Sequence, residues 1–333
     1  MTETRVAAFG STELPQPQTE ALRRAVRLEW VTLGFLAVAI TLVGVVAGNS
    51  QAMKAAWAED LLSVLPPLAF LVAVRIVSKR PRAEWPYGFH RSIGTAHLVA
   101  GAALLTMGTF LLVDSGIGLI TAEHPSIGSV EIAGRLVWLG WLMIGAMVVT
   151  GIPPVLLGRA KMRLAEQLHD KVLYADADMN KADWLTAAGS IVGILGIGIG
   201  WWWTDAAAAL FISATIVSDG VKNVRAAVRD LMDARPTTFD NARPHPVPRD
   251  VVRYLRGLDW VSDAGVRARD QGHVFHVEAF VVPRSALQMP SVDVLDRVRQ
   301  HCTDLDWRLE DVVVIPVHEL PQVVDHDRDD GPA

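Results

Sequence analysis

Four stretches of this chain are too long and too apolar to belong to the interior of a small soluble domain. Val31 to Met53, Ser92 to Val113, Leu136 to Gly158 and Trp184 to Thr204 contain no Asp, Glu, Lys or Arg. A helix needs about 20 apolar residues to cross a bilayer core. Leu61 to Val74 is likewise uncharged between Glu59–Asp60 and Arg75, which predicts a span from Ala55 to Val77. Ala206 to Ser218 is shorter and is read as a sixth span. Its neighbour ends in Trp201-Trp202-Trp203, residues that favour the membrane–water interface. A tight turn at Thr204-Asp205 is expected to join the two. A soluble helical bundle is the plain alternative, and the number of uncharged runs argues against it.

Lys and Arg set the expected orientation. One set of segments carries Arg23, Arg24 and Arg27, then Lys79, Arg80, Arg82 and Arg91, then Arg159, Lys161, Arg163 and Lys171, then Lys222, Arg225 and Arg229; the other carries Lys54 and Arg135. Both termini are therefore expected in the cytoplasm and the chain in the inner (plasma) membrane. The net charge of −5 argues against a nucleic-acid partner. The single cysteine, Cys302, excludes an intrachain disulfide and a multi-cysteine metal site. No Gly-rich phosphate loop, nucleophile elbow or HExxH motif occurs, so the chain is not read as an enzyme.

The chain divides into an N-terminal segment (1–28), a membrane part (29–233), a Pro-rich linker (234–246), a soluble domain (247–321) and an acidic tail (322–333) expected to be disordered. Apolar spacing in the soluble part predicts a helix over Asp250–Leu258, strands over Val261–Arg269 and Val274–Val282 about a turn at Gln271-Gly272, a helix over Val292–Cys302 and a strand over Val312–Val317. The fold class expected is an all-α six-helix transmembrane bundle followed by a small α+β domain of αββαβ order.

Ionisable groups inside a span are costly and are functional candidates by default. At 100° per residue, with Asp176 at zero, Met179 falls at about 300°, Asn180 at about 40° and Asp183 at about 340°, so the four share a helix face; Asp178 points elsewhere. Capping of a helix N-terminus accounts for Asp176 and Asp178 equally well. It does less for Asp183, which lies beyond the first turn. In the second span Glu59 and Ser63 are four residues apart, and Pro66 and Pro67 free the carbonyls of Leu62 and Ser63. Carboxylate, hydroxyl and carbonyl oxygens suit a hard divalent cation. A simple kink is the alternative, since Pro153-Pro154 repeats the pattern.

Three stretches, "RIVSKRPRAEWPYGFHRS", "YADADMNKADWLT" and "TDAAAALFISATIVSDGVKNVRAAVRDLMDARP", make the chain resemble the cation diffusion facilitator family of proton-coupled metal exporters over Val31 to Pro321. The resemblance implies a ferredoxin-like, metallochaperone-like cytoplasmic domain and a homodimer formed through it. It implies a metal site at Glu59, Ser63, Met179 and Asp183, of which only two are anionic; Met179 stands where the family has an imidazole or carboxylate. Asp176 and Asn180 add oxygens. In the family's loop motif, Trp85 and Phe89 replace two histidines here, and His90 lies one place later. Phe280 stands where some members carry a histidine. His318 in "PVHEL" looks like a remnant of a site between tail domains, and His276 with Glu278 forms a weak substitute.

The expected function is a secondary transporter that moves a divalent cation (Mn, Mg, Fe or Zn) out of the cytoplasm by proton antiport. The oxygen-rich ligands suit manganese, magnesium or iron better than zinc. The expected partners are the membrane, the metal cation, protons and a second copy of the chain. The alternative is a non-transporting membrane partner or metal sensor derived from such a transporter.

Overall fold

The computed structural model describes residues 14–79, 81–122, 127–132, 134–285 and 290–325. Residues 1–13 of the N-terminal segment and 326–333 of the acidic tail lie outside the described residues. The chain forms two compact units: Glu20–Ala73 with Thr95–Val228, and Val74–Gly94 with the C-terminal part from Arg229.

The first unit is helical: α1 (Gln16–Val46), α2 (Gln51–Leu62), α3 (Leu65–Val77), α4 (Ser92–Ile120), α5 (Leu139–Leu168), α6 (Lys171–Gly198) and α7 (Trp203–Leu231). Among the described residues, α1, α2–α3 taken together, α4, α5 and α7 are each long and apolar enough to cross a membrane. α6 has 28 residues, and its uncharged run starts after Asp183. Val38 and Val45 on α1, Val99, Phe110 and Ile117 on α4, and Val149, Ile152 and Leu156 on α5 point outward. Outward apolar faces of this extent fit a lipid solvent, not water. Before α5, a two-stranded hairpin pairs β1 (Ser129–Ile132) with β2 (Arg135–Trp138), a feature the apolar run from Leu136 concealed.

Several boundaries differ from the sequence expectation. The first apolar run divides at Gly48, whose positive φ of 52° ends the first helix, and Ser50 opens α2 by accepting a hydrogen bond from the Met53 N–H. The prolines interrupt the second span instead of bending it. α2 stops at Leu62, the Ser63 N–H donates to the Glu59 carbonyl at 2.8 Å, and α3 restarts with Pro66 and Pro67 in its first turn, where a missing N–H costs nothing. The short sixth span lies in the N-terminal half of the 29-residue α7. The turn before it lies at Gly200 (φ 91°), not at Thr204-Asp205. Asp205 is instead completely buried and accepts from the Ser50 hydroxyl (2.6 Å) and the Gln51 and Ala52 N–H groups, so it caps α2. Lys161, expected in a cytoplasmic segment, lies on α5 and is fully buried, because the helix runs on to Leu168.

Helices α4 and α7 approach closely through glycine. A Cβ at Gly220 would lie 2.7 Å from the Leu105 backbone, and one at Gly108 would lie 2.7 Å from Ile216. Leu104 and Leu111 of α4, Ala209, Ile212 and Ile216 of α7, and Ala52 and Ala55 of α2 form one apolar core. Val43 of α1, Met53 and Ala56 of α2, Met143 and Met147 of α5 and Ile194 of α6 form another.

In the second unit, α8 (Val247–Arg256), β3 (Val261–Asp270), β4 (Phe275–Pro283), α9 (Val292–Leu305) and β5 (Leu309–Pro316) give the expected αββαβ order. The sheet order is β3-β4-β5, with β3 and β4 antiparallel and β4 and β5 parallel. Val277, Ala279 and Val281 of β4 are core residues, packed with Val251, Leu255, Val298 and Cys302. Asp325 bridges Val266 on the outer edge of β3 and pairs with Arg235 at 3.0 Å.

Candidate metal site

Glu59 on α2 and Asp183 on α6 line one small cavity with Asp60, Met147, Thr150, Gly151, Pro154 and Thr186. Its volume is about 20 Å³, room for a single water-sized species. Each wall follows from the local fold. The Ser50–Asp205 cap fixes where α2 begins, and the break after Leu62 leaves Glu59 in its last turn. α5 presents Thr150 and Pro154, and α6 presents Asp183 with Thr186. Carboxylates, a hydroxyl-bearing wall and little space make a setting for a small, hard cation.

Glu59 also faces a second cavity, lined by Met179 and Thr186 of α6, Leu104 of α4, and Thr215, Ile216 and Asp219 of α7. Met179 thus shares a cavity with Glu59 but does not line the one that holds Asp183. Asp219 is ion-paired with Lys222 at 3.0 Å.

The other residues of the polar stripe go elsewhere. Asp176 accepts a hydrogen bond from Lys161, and the Asn180 side-chain amide donates to the Asp176 carbonyl (2.9 Å) and carboxylate (3.2 Å). Ser63 is buried at the end of α2 and lines neither cavity. Among the described residues, no three His, Cys, Asp or Glu side chains are grouped to hold a metal ion.

The histidines of the second unit are separate from one another in role. His90 is buried in the turn before α4, with its carbonyl accepting from the Ile93 N–H. His318 is exposed in the bend after β5. His276 lies 3.8 Å from Asp311 and edge-on to Tyr87, whereas Glu278 pairs with Arg267, so the two residues of that strand face serve different partners. Phe280 is buried beneath the Arg267 guanidinium.

Sequence reasoning missed Asp60, Thr150 and Thr186 as cavity lining and Glu29 and Lys161 as buried charges. Thr150 and Thr186 carry no signal in an apolar run. Asp60 and Glu29 sit at the ends of such runs, where an exposed acid is the ordinary reading.

The model of the cation efflux transmembrane domain matches residues 30–232. The manganese efflux system protein MneS of Bacillus subtilis is 23% identical over 233 residues, covering 70% of this chain and 74% of that protein. The magnetosome protein MamB of Magnetospirillum gryphiswaldense is 27% identical over 169 residues, or 50% and 52% of the two chains. Mitochondrial metal transporter 2 of Saccharomyces cerevisiae is 23% identical over 230 residues, or 62% and 46%. The chain therefore spans about half the length of two of these three relatives. With a matched domain that takes in the Glu59–Asp183 cavity and all the long helices but the first turns of α1, the chain belongs to the cation efflux, or cation diffusion facilitator, family of integral membrane transporters of metal cations.

Proposed function

We propose that this protein is a secondary transporter that exports a divalent cation from the cytoplasm, held in transit between Glu59 and Asp183. The shared cavity of these two acids, on separate helices of the membrane unit, carries the reading. Thr150 and Thr186 add neutral oxygens. Asp60 also lines this cavity, without forming a three-ligand group with the other two acids. Oxygen ligands alone suit manganese, magnesium or iron, and manganese fits best with the similarity to a manganese efflux protein.

Protons are the exchanged ion. A carboxylate that loses its cation in a low-dielectric site takes up a proton, and the reverse exchange returns it. Residues 29–233 form the transporting part, and 247–321 the cytoplasmic domain through which two copies pair. The bias of Lys and Arg supports an orientation with both termini in the cytoplasm, and the plasma membrane is the setting that export from the cell calls for. The test is uptake of Mn²⁺, Mg²⁺, Fe²⁺ or Zn²⁺ into everted vesicles, where uptake corresponds to export from the cytoplasm, for the wild type, Glu59→Ala and Asp183→Ala. Loss in both variants supports the reading; export at wild-type rates by both for every cation overturns the site.

A second reading, a non-transporting partner or sensor, is favoured by the lack of a three-ligand group among the described residues. Purified wild type that is folded and binds no cation at micromolar concentration selects it.

A further inference from the structure

Outside the cavity, three charges are buried together. The Lys161 ammonium on α5 lies 2.9 Å from the Glu29 carboxylate on α1 and is hydrogen-bonded to the Asp176 carboxylate on α6. Glu29 and Lys161 have no exposed side-chain surface, and Asp176 has 5%. Asn180 supports Asp176 from one helical turn away. Glu29 keeps its Oε1 buried with no hydrogen-bond donor among the described residues. One lysine thus stands between two acids whose oxygens converge from different helices, with an acceptor oxygen to spare. Burial of charge is tolerated only when it is paired.

We infer that Lys161 acts as a built-in cation: its ammonium fills, between Glu29 and Asp176, a carboxylate site that would otherwise take a divalent metal ion. The side chain thereby confines metal binding in the membrane unit to the Glu59–Asp183 cavity, whose lining does not include Lys161. Asp176, which lies on the same face of α6 as Asp183, is kept out of the cation's path by its tether. Lys161 is in this sense a specificity-determining residue: it sets how many cations the unit holds. A methionine there has similar length and no charge, and it leaves two buried carboxylates facing one another. A hard divalent ion is suited to that set of oxygens.

The experiment measures bound Mn²⁺ per chain by equilibrium dialysis of the purified full-length protein in nanodiscs. Lys161→Met is expected to bind one metal ion more than the wild type, Lys161→Arg the same number as the wild type, and Lys161→Met with Asp176→Asn to lose the added ion. A folded Lys161→Met with unchanged stoichiometry overturns the inference. Should Lys161→Met fail to fold, Asp176→Asn decides: wild-type stoichiometry supports the inference, and loss of an ion overturns it by showing that Asp176 already binds metal. If the wild type binds no Mn²⁺, the Glu59–Asp183 reading fails on its own, while a gain in Lys161→Met still supports the built-in cation.

Discussion

Glu59 and Asp183 reach one cavity from α2 and α6, although most of the membrane unit separates them in the chain. Glu59→Gln and Asp183→Asn keep the shape of each side chain and remove its charge. Each is expected to weaken Mn²⁺ binding by at least about 10–100-fold, the loss seen even for residues that only support metal ligands. Isothermal titration of the purified variants checks this. Ser63→Ala is expected to leave affinity close to that of the wild type, since Ser63 lines neither cavity.

Asp205 joins the start of α7 to the start of α2 through the Ser50 hydroxyl and two backbone N–H groups. Asp205→Ala leaves those buried donors without their acceptor, at a cost of about 1–3 kcal/mol. A lower unfolding midpoint and faster hydrogen exchange at the Gln51 and Ala52 amides are the expected readouts. Faster exchange there with an unchanged α4 would localise the damage to the α2 cap.

Gly220 lets α7 lie against the Leu105 backbone of α4. A methyl group there meets main chain and not a flexible side-chain end, so Gly220→Ala must push the helices apart. The expected loss is about 1–3 kcal/mol, typical of overpacking. Thermal unfolding in detergent measures it, with Gly34→Ala as the control because nothing lies within 4 Å of a Cβ at that position.

Cys302 is fully buried on α9, and burial pushes its thiol up from 9.0 to about 12. The folded thiol is therefore protonated at neutral pH, and a maleimide is expected to label it only after denaturation. A raised folded value contributes stability that is intact below the unfolded value of 9.0 and is lost as pH rises towards about 12. The stability of the wild type is thus expected to fall more steeply above pH 9 than that of Cys302→Ala, measured by denaturant unfolding at a series of pH values.

The order of elements was legible from local pattern. Uncharged runs marked the membrane helices, and the alternation of Val277, Ala279 and Val281 marked β4, because burial imposes a period that the chain must carry in its residues. The candidacy of Asp183 and Glu59 was legible as well, since an acid next to a lipid-length apolar run needs a reason to be there. Helix ends were less so. α5 extends past charged residues to Leu168, and α7 starts before Asp205; Lys161 and Asp205 are accommodated there by partners distant in sequence, carboxylates for one and hydrogen-bond donors for the other.

What the sequence by itself determined is therefore the kind of elements and their broad order, the membrane setting and which acids merit suspicion. Only the tertiary structure decided how the acids divide: Asp183 lines a cavity with Glu59, while Asp176, two helical turns earlier on the same face, is held by Lys161. The physical reason is that a helix face specifies direction alone. Which charge a buried carboxylate meets depends on the helices packed against it, and neither Glu29 nor Lys161 carries a local signal that it will be one of them.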